Sequence, residues 1–238
     1  MINLYKILGL PILFDEKNFD LKFEGDFAPM RKTERSLEEL KPFLKNPEVE
    51  SGPDPAYRVW RGVYLKSEEE KIKNSGLRLD LVIMPPGKIG DEFVKTAGHY
   101  HLSYPEMYFI LYGRAYILMQ SYNENPKVLK SVHLTEAGAG EQIFIPRDFG
   151  HNTTNVFNEP LLFATLVDEN VVDDYESYKN MRGASHYFLD NGNLVDIVKN
   201  PNYDSVPELK KTLAEKTNEG VWRNWNTRTL QERMDESH

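Results

Sequence analysis

Three histidines and one glutamate stand at intervals that suit a metal site. His99 and His101 are two residues apart, so both imidazoles leave the same face of the chain if it is extended there. Glu106 follows at the head of a run of strand-forming residues, and His151 comes later, just after a turn. These residue types at these intervals predict that three imidazoles and one carboxylate bind a single metal ion.

The ligand set indicates which metals and which chemistry to expect. Imidazole and carboxylate ligands form a borderline-hard set that suits Fe(II), Mn, Co, Ni or Zn. The chain contains no cysteine, which excludes thiolate ligands, disulfides and a cysteine nucleophile. An octahedral ion with four protein ligands keeps open positions for water or substrate oxygens, and it can polarise a carbonyl group. We therefore expect a metal-dependent enzyme in which Glu106 is a ligand and also a candidate catalytic base.

The segments around these four residues predict many short strands. Tyr57 to Tyr64 alternate apolar with polar or small residues, and Leu79 to Met84 form a compact apolar run that ends at prolines. The pattern recurs at 107–112, 115–121, 141–145 and 161–167. Short strands at even spacing, without helical patterns between them, predict a mainly β protein built as an antiparallel sandwich or small barrel.

The two ends of the chain differ from this central region. The predicted regions are an N-terminal extension that packs on the barrel (1–56), the barrel itself (57–203) and a C-terminal helical tail (204–238). A capping box of the Ser-x-x-Glu type predicts a short helix after Ser36, and a second box predicts a helix after Ser205. A further helix is expected after Asn226.

Charge and hydropathy limit the partners. The formal net charge of −8 over 238 residues argues against nucleic acid, whose phosphates bind a surplus of Lys and Arg. No apolar run reaches the length that crosses a bilayer, so we expect no membrane partner. The lack of cysteine is compatible with the cytoplasm, where we expect the protein to act.

The spacing of the first cluster matches the first cupin motif, G-x5-H-x-H-x3,4-E-x6-G. Four residues separate His101 from Glu106, and six separate Glu106 from Gly113. The chain departs from the motif at Phe93, where the first glycine is expected. That position lies in a turn, so the departure concerns local backbone shape and leaves the ligand set intact.

The second cluster matches the second cupin motif, G-x5-P-x-G-x2-H-x3-N. Five residues separate Gly140 from Pro146, and three separate His151 from Asn155, while Asp148 replaces the middle glycine. With both motifs present in order, the chain resembles the cupins. This resemblance implies a double-stranded β-helix, also called a jelly-roll barrel.

The wider sequence resembles the small cupin-type glucose-6-phosphate isomerases. The likeness runs from about residue 10 to Tyr203 and includes PPGKIGDEFVKTAGHYH, EMY, IFIPRDFGHNTTN and EPLLFATLVDENVVDDY. It implies interconversion of glucose 6-phosphate and fructose 6-phosphate by a homodimer with one divalent metal per subunit, Fe(II) or else Mn, Ni, Co or Zn. The family's metal ligands fall on His99, His101, Glu106 and His151. Its substrate contacts fall on Thr96, Gly98, Tyr108 and Tyr175.

Two positions depart from the isomerase pattern. Asp173 stands where some members have a histidine tied to ring opening, and Val82 stands where some have a threonine that contacts phosphate. Arg147, Lys88 or Lys95 are candidates to supply positive charge to the substrate instead.

Three functions stay open on the sequence alone. The first is the sugar-phosphate isomerase, which would move either a proton by way of a base or a hydride between C1 and C2. The second is a cupin oxygenase that uses iron and molecular oxygen, and the third is a metal-stabilised sugar-binding protein without turnover. A fold shared by many functions does not separate them.

Overall fold

The structure, a computed structural model, describes residues 1–192 and 194–217. Its strands are β1 (Ile2–Asn3), β2 (Ile12–Asp15), β3 (Asp20–Phe23), β4 (Arg31–Arg35), β5 (Tyr57–Arg61), β6 (Leu77–Met84), β7 (Lys88–Ile89), β8 (Glu92–Phe93), β9 (His99–His101), β10 (Glu106–Tyr112), β11 (Arg114–Tyr122), β12 (Leu129–Gly138), β13 (Glu141–Ile145), β14 (Gly150–Thr154), β15 (Leu161–Asp168), β16 (Asp173–Asp174), β17 (His186–Asp190), β18 (Val195–Lys199), β19 (Leu209–Leu213) and β20 (Glu215–Lys216). Its α-helices are α1 (Tyr5–Leu8), α2 (Leu37–Leu40), α3 (Glu69–Ser75) and α4 (Glu176–Asn180), and 3-10 turns cover Lys41–Phe43 and Lys66–Glu68.

Two large sheets form the body of the molecule. One has seven strands in the order β20-β13-β10-β15-β6-β5-β4, and the other has six in the order β16-β9-β14-β11-β12-β19. Their inner faces share one hydrophobic core, to which Ile110 of the first sheet and Ile117 of the second both belong. The expected mainly β, cupin-like barrel is therefore confirmed.

The middle of the seven-stranded sheet is covered on both faces. Along β10, Tyr108 and Ile110 belong to the core between the large sheets, whereas Met107, Phe109 and Leu111 belong to a second core on the outer face. Burial on both faces explains why this strand is a continuous apolar run instead of an alternating one.

The N-terminal residues supply the cover for that outer face. A small sheet of β1, β2 and β3 packs there through Ile12 and Phe14, and helix α1 through Leu8, all in one cluster with Trp60. These side chains would be exposed without the large sheet, so the two surfaces stabilise one another by apolar burial.

The helix predicted after Ser36 is confirmed as α2. The Ser36 hydroxyl accepts a hydrogen bond from the Glu39 amide at 3.2 Å, and the Glu39 carboxylate accepts one from the Ser36 amide at 2.9 Å. Just before this helix, β4 pairs with β5, so the large sheet already begins at Arg31. The division at residues 56 and 203 stays a prediction.

The helix predicted after Ser205 is wrong. Leu209–Leu213 form β19, which lies parallel to β12 with Val132 opposite Leu209. Glu215–Lys216 then pair with β13 in the other large sheet. The open edges of both sheets accept backbone hydrogen bonds, and this pairing outweighs the local helix signal. The helix expected after Asn226 lies outside the described residues.

Across residues 1–192 and 194–217, none of the helices is both long and apolar enough to serve as a membrane span.

Candidate active site

The four predicted metal ligands come from both large sheets. His99 and His101 are the ends of β9, and the neighbouring strand β14 places His151 directly opposite His99. Glu106 is the first residue of β10 in the facing sheet. The extended backbone of β9 sends both of its imidazoles to the same face, as the spacing predicts.

The ligand atoms of these four side chains converge. One nitrogen or oxygen from each of them lies within 4.8 Å of all the others. The Nε2 atoms of His99 and His101 are 2.8 Å apart, and His151 Nε2 lies 3.0 Å from Glu106 Oε2. Bonds of about 2.1 Å to one ion would place neighbouring ligands about 3 Å apart, so these spacings fit a single metal.

Burial and unmet hydrogen bonds also fit a metal ion. His101, Glu106 and His151 are each less than 5% exposed. Glu106 Oε2 and His151 Nε2 are buried, and despite their 3.0 Å separation neither has a hydrogen-bond partner of acceptable geometry in the described part of the chain. A buried polar atom without a partner costs about 1–3 kcal/mol, and a cation bound between them would remove that cost. The residues present therefore fit the implied divalent metal.

Electrostatics keep Glu106 and His99 in the protonation states that a metal needs. Burial raises the pKa of Glu106, but the adjacent His101 and His151 outweigh it and bring that pKa to about 2. Burial, together with the neighbouring His151 and His101, lowers the pKa of His99 well below its ordinary value. Glu106 is therefore ionised at neutral pH and His99 is neutral, so both offer a lone pair. Burial lowers the pKa of His101, but the carboxylates of Glu106 and Asp173 outweigh it and raise that pKa, so a metal ion would displace a proton there.

Asp173, which the family resemblance places at a position tied to ring opening, joins this cluster from β16, and its contacts with His101 and His99 were not predicted. Its Oδ1 lies 3.0 Å from His101 Nε2 and 3.7 Å from His99 Nε2, and its Oδ2 accepts a hydrogen bond from the Tyr175 hydroxyl at 3.2 Å. Burial raises the pKa of Asp173. The hydrogen bond with His101 and the nearby charges lower that pKa by more than burial raises it, so this carboxylate is ionised. The register of β16 against β9 brings Asp173 opposite His101, and nothing in the local sequence reveals that pairing.

A cavity of about 740 Å³ opens beside the cluster. The residues predicted to contact the substrate, namely Thr96, Gly98, Tyr108 and Tyr175, all line it. Thr96 is fixed in place because its hydroxyl accepts a hydrogen bond from the Thr153 amide at 3.0 Å. Tyr108 is buried between the Phe163 ring, on which it stacks, and the edge of His151.

Gly98 lies where the chain turns into β9, and only glycine fits there. Its φ of +77° is in the left-handed region, and a Cβ atom at this position would lie 2.6 Å from the Tyr178 ring. Both the backbone angle and the close ring disfavour any side chain. The glycine lets the chain pass Tyr178 and place His99 at the metal site.

The positive charge that faces the cavity differs from the one expected. Lys88 forms an ion pair with Asp190, and Lys95 is buried on Glu92 at 2.6 Å. Neither of them, nor Arg147, is among the described residues that line the cavity. Four arginines line it instead: Arg31, Arg35, Arg61 and Arg78. Alternation along β4 and β5 could have indicated that Arg31, Arg35 and Arg61 share a face, but which face borders the cavity depends on the sheet packing.

The family model and the related sequences agree on one family. The family model described as glucose-6-phosphate isomerase matches residues 26–207. A glucose-6-phosphate isomerase of Thermococcus onnurineus is 29% identical over 181 residues, which cover 75% of this chain and 91% of that protein. The Thermococcus litoralis isomerase is 27% identical over 191 residues, covering 77% and 94%. Among solved structures, an oxalate decarboxylase from Lactobacillus farciminis is 19% identical with a TM-score of 0.39, covering 53% of this chain and 33% of that chain.

Proposed function

We infer that this chain, which belongs to the glucose-6-phosphate isomerase family, is an aldose–ketose isomerase that interconverts glucose 6-phosphate and fructose 6-phosphate. The observation that carries this conclusion is the convergence of His99, His101, Glu106 and His151, within the region that the family model matches. The first three of these residues line the cavity. A cavity of about 740 Å³ has the size of small-molecule sites and accommodates a hexose phosphate.

The proposed metal site holds one divalent ion per subunit, with Fe(II) as the expected metal and Mn, Ni, Co or Zn as alternatives. Nitrogen and oxygen ligands of this kind suit all of these ions. When bound, the metal supplies a Lewis acid for the carbonyl and hydroxyl oxygens at C1 and C2 of the sugar.

Glu106 is the proposed catalytic residue. Isomerisation moves a hydrogen between C2 and C1 while the carbonyl changes place. Glu106 is ionised and is an acceptor for the proton if the reaction passes through an enediol. If a hydride passes directly from C2 to C1, Glu106 serves as a ligand alone. Thr96, Gly98, Tyr108 and Tyr175 are the proposed substrate contacts because they surround the same space.

We propose further that the enzyme is a homodimer that acts in the cytoplasm, in glycolysis and gluconeogenesis. The homodimer, the cytoplasmic location and the two pathways all follow from the family resemblance. Size-exclusion chromatography with light scattering checks the homodimer, which a monomer near 27.6 kDa would contradict.

A coupled assay tests the proposed function. Fructose 6-phosphate is supplied, and the glucose 6-phosphate formed is oxidised by a dehydrogenase with NADP, with and without oxygen and before and after chelation. We expect turnover that survives without oxygen, disappears on chelation and returns with divalent metal. Activity that needs oxygen would favour an oxygenase, and no turnover with metal bound would favour a sugar-binding protein.

Running the reaction in D2O separates the two routes for hydrogen transfer. Deuterium incorporated into the product indicates a base that exchanges with water, which supports Glu106 in that role. A product without carbon-bound deuterium excludes a base that exchanges freely with water and leaves the ligand role of Glu106 unchanged.

A further inference from the structure

Arg35 differs from the other three arginines that line the cavity. Arg61 and Arg78 both contact the buried carboxylate of Asp80, each at 3.0 Å. Arg31 is exposed to solvent at the other end of β4. Arg35 is only partly exposed, and within residues 1–192 and 194–217 it has no carboxylate at ion-pair distance.

The groups around Arg35 do not neutralise its charge. Its Nε donates a hydrogen bond to the Tyr57 hydroxyl at 3.3 Å, and its guanidinium carbon lies 5.7 Å from the centre of the Tyr175 ring. Glu39 also borders the cavity, but its carboxylate is held by the amide and hydroxyl of Ser36 at the start of α2. A half-buried guanidinium beside neutral groups gains free energy when an anion binds to it.

The contacts of Arg35 also locate it within the cavity. The Tyr57 hydroxyl that accepts from Arg35 lies 3.5 Å from the Ala97 amide, between the predicted substrate contacts Thr96 and Gly98. The Tyr175 ring on its other side lies 5.1 Å from the His99 ring. Arg35 therefore stands one side chain away from the metal ligands and beside the segment 96–98.

We propose that Arg35 binds the phosphate group of the sugar phosphate and thereby sets the preference for phosphorylated substrates. The inference rests on the proposed function, since it identifies the group that recognises the charged end of that substrate. The Nε contact with Tyr57 leaves both terminal nitrogens of the guanidinium without a hydrogen-bond partner among residues 1–192 and 194–217, and such a fork binds two oxygens of one phosphate. Val82, which borders the same cavity, offers no hydroxyl for this purpose.

Direct titration of the metal-loaded enzyme with two ligands tests the assignment. Glucitol 6-phosphate and glucitol have the same carbon chain and differ only in the phosphate. For Arg35→Gln we expect binding of glucitol 6-phosphate to weaken about 10- to 100-fold, as befits a charged hydrogen bond, with glucitol binding unchanged within about twofold. Arg35→Lys keeps the charge without the fork, and its binding should fall between those of wild type and Arg35→Gln.

Lys32→Gln is the matched control. Lys32 lies on β4 like Arg35, but its side chain is on the opposite face of the strand, where it contacts Trp60 and Asp20. Its replacement removes one positive charge from the same strand. It should leave the binding of both ligands unchanged. In turnover, Arg35→Gln should raise KM for glucose 6-phosphate by the same factor and change kcat by less than about threefold.

Two results would overturn the assignment. Unchanged binding of glucitol 6-phosphate by Arg35→Gln would remove Arg35 from phosphate recognition. Equal weakening of glucitol and glucitol 6-phosphate would show that Arg35 only maintains the cavity. The titrations do not require turnover, so an enzyme that fails to isomerise glucose 6-phosphate refutes the proposed function while Arg35 is still tested.

Discussion

The carboxylate of Glu106 supplies the only negative charge among the four proposed metal ligands. Its oxygen reaches His151 Nε2 from the opposite sheet, and its pKa of about 2 keeps it ionised. Three neutral imidazoles attract a divalent cation less strongly than the same three with an anion beside them. The affinity for metal therefore depends strongly on this one charge.

Glu106→Gln should abolish tight metal binding, because it keeps the shape of the side chain and removes the charge. We expect metal affinity to fall by at least about 100-fold and turnover to be lost with it. Metal content after dialysis, measured by mass spectrometry, gives the readout. Glu136→Gln, an exposed acid on β12, is the control and should keep a full equivalent of metal. A Glu106→Gln protein that also kept a full equivalent would contradict the ligand assignment.

Gly98→Ala should destabilise the protein more than Gly140→Ala. Both glycines have positive φ, but a Cβ at Gly98 would meet the Tyr178 ring at 2.6 Å, whereas nothing lies within 4 Å at Gly140. The backbone strain alone costs about 1–2 kcal/mol, and we expect at least about 2 kcal/mol more at Gly98 from the forced shift of the ring. Urea denaturation measures both. Equal losses in the two variants would show that Tyr178 moves freely.

The residues of the site divide into those that a reader of the sequence could find and those that only the fold reveals. His99, His101, Glu106 and His151 lie in two short stretches whose spacing is itself the signal. Arg35 reaches the cavity through strand pairing, whose register is set by contacts far along the chain. The family resemblance singles out Asp173, but only the pairing of β16 with β9 reveals that it lies opposite His101. Lys88 and Lys95 were predicted to offer positive charge to the substrate, but they form ion pairs with Asp190 and Glu92 outside the cavity.

At the scale of elements, the strands of the central barrel were predictable and the segment after Ser205 was not. Strand predictions at 107–112 and 141–145 agree with β10 and β13 because short apolar runs between turns leave few alternatives. The segment LKKTLAEK has good helix formers and a capping signal, yet its backbone completes the edge of β12. The difference in intrinsic free energy between helix and strand for this segment is smaller than the free energy gained from the hydrogen bonds along the sheet edge.

The free energy of unfolding should depend on pH through His186, the first residue of β17. It is 5% exposed, its Nδ1 meets the Ser185 hydroxyl at 3.1 Å, and burial with the nearby Lys199 lowers its pKa to about 4. The unfolded chain binds this proton near pH 6.5, so the folded state loses stability as pH falls from 6.5 towards 4. We expect His186 to account for a loss of up to about 3 kcal/mol over that window.

The His186→Gln variant isolates this contribution. Its free energy of unfolding, measured in urea at several pH values, should fall less steeply than that of the wild type between pH 6.5 and 4. Equal slopes for the two proteins would mean that the imidazole is already charged in the folded state.

At the scale of the whole molecule, the proposed metal site joins the two large sheets. Three ligands lie on β9 and β14 of one sheet and the fourth on β10 of the other. An ion bound to all four would therefore hold the sheets together beside the cavity. Ligands that bind only the folded state raise its stability by mass action.

Removing the metal should lower the melting temperature of the whole protein. At metal concentrations 100-fold above Kd the ion adds about 2.7 kcal/mol, which corresponds to roughly 5–10 °C for a chain of this size. Calorimetry of the loaded and chelated forms provides the measurement. The Glu106→Gln protein, scanned in the same buffers, should show little difference between them. Identical melting temperatures for loaded and chelated wild type would mean that no ion links the sheets.

The position of β4 at the far edge of the seven-stranded sheet has a practical consequence for redesign. This strand supplies Arg31, Thr33 and Arg35 to the cavity wall, and it contains no metal ligand. An edge strand pairs with one neighbour only, so its inward positions tolerate exchange with less disturbance than those of a central strand. Libraries confined to 31, 33 and 35 should therefore yield enzymes with altered sugar selectivity that still load their metal normally.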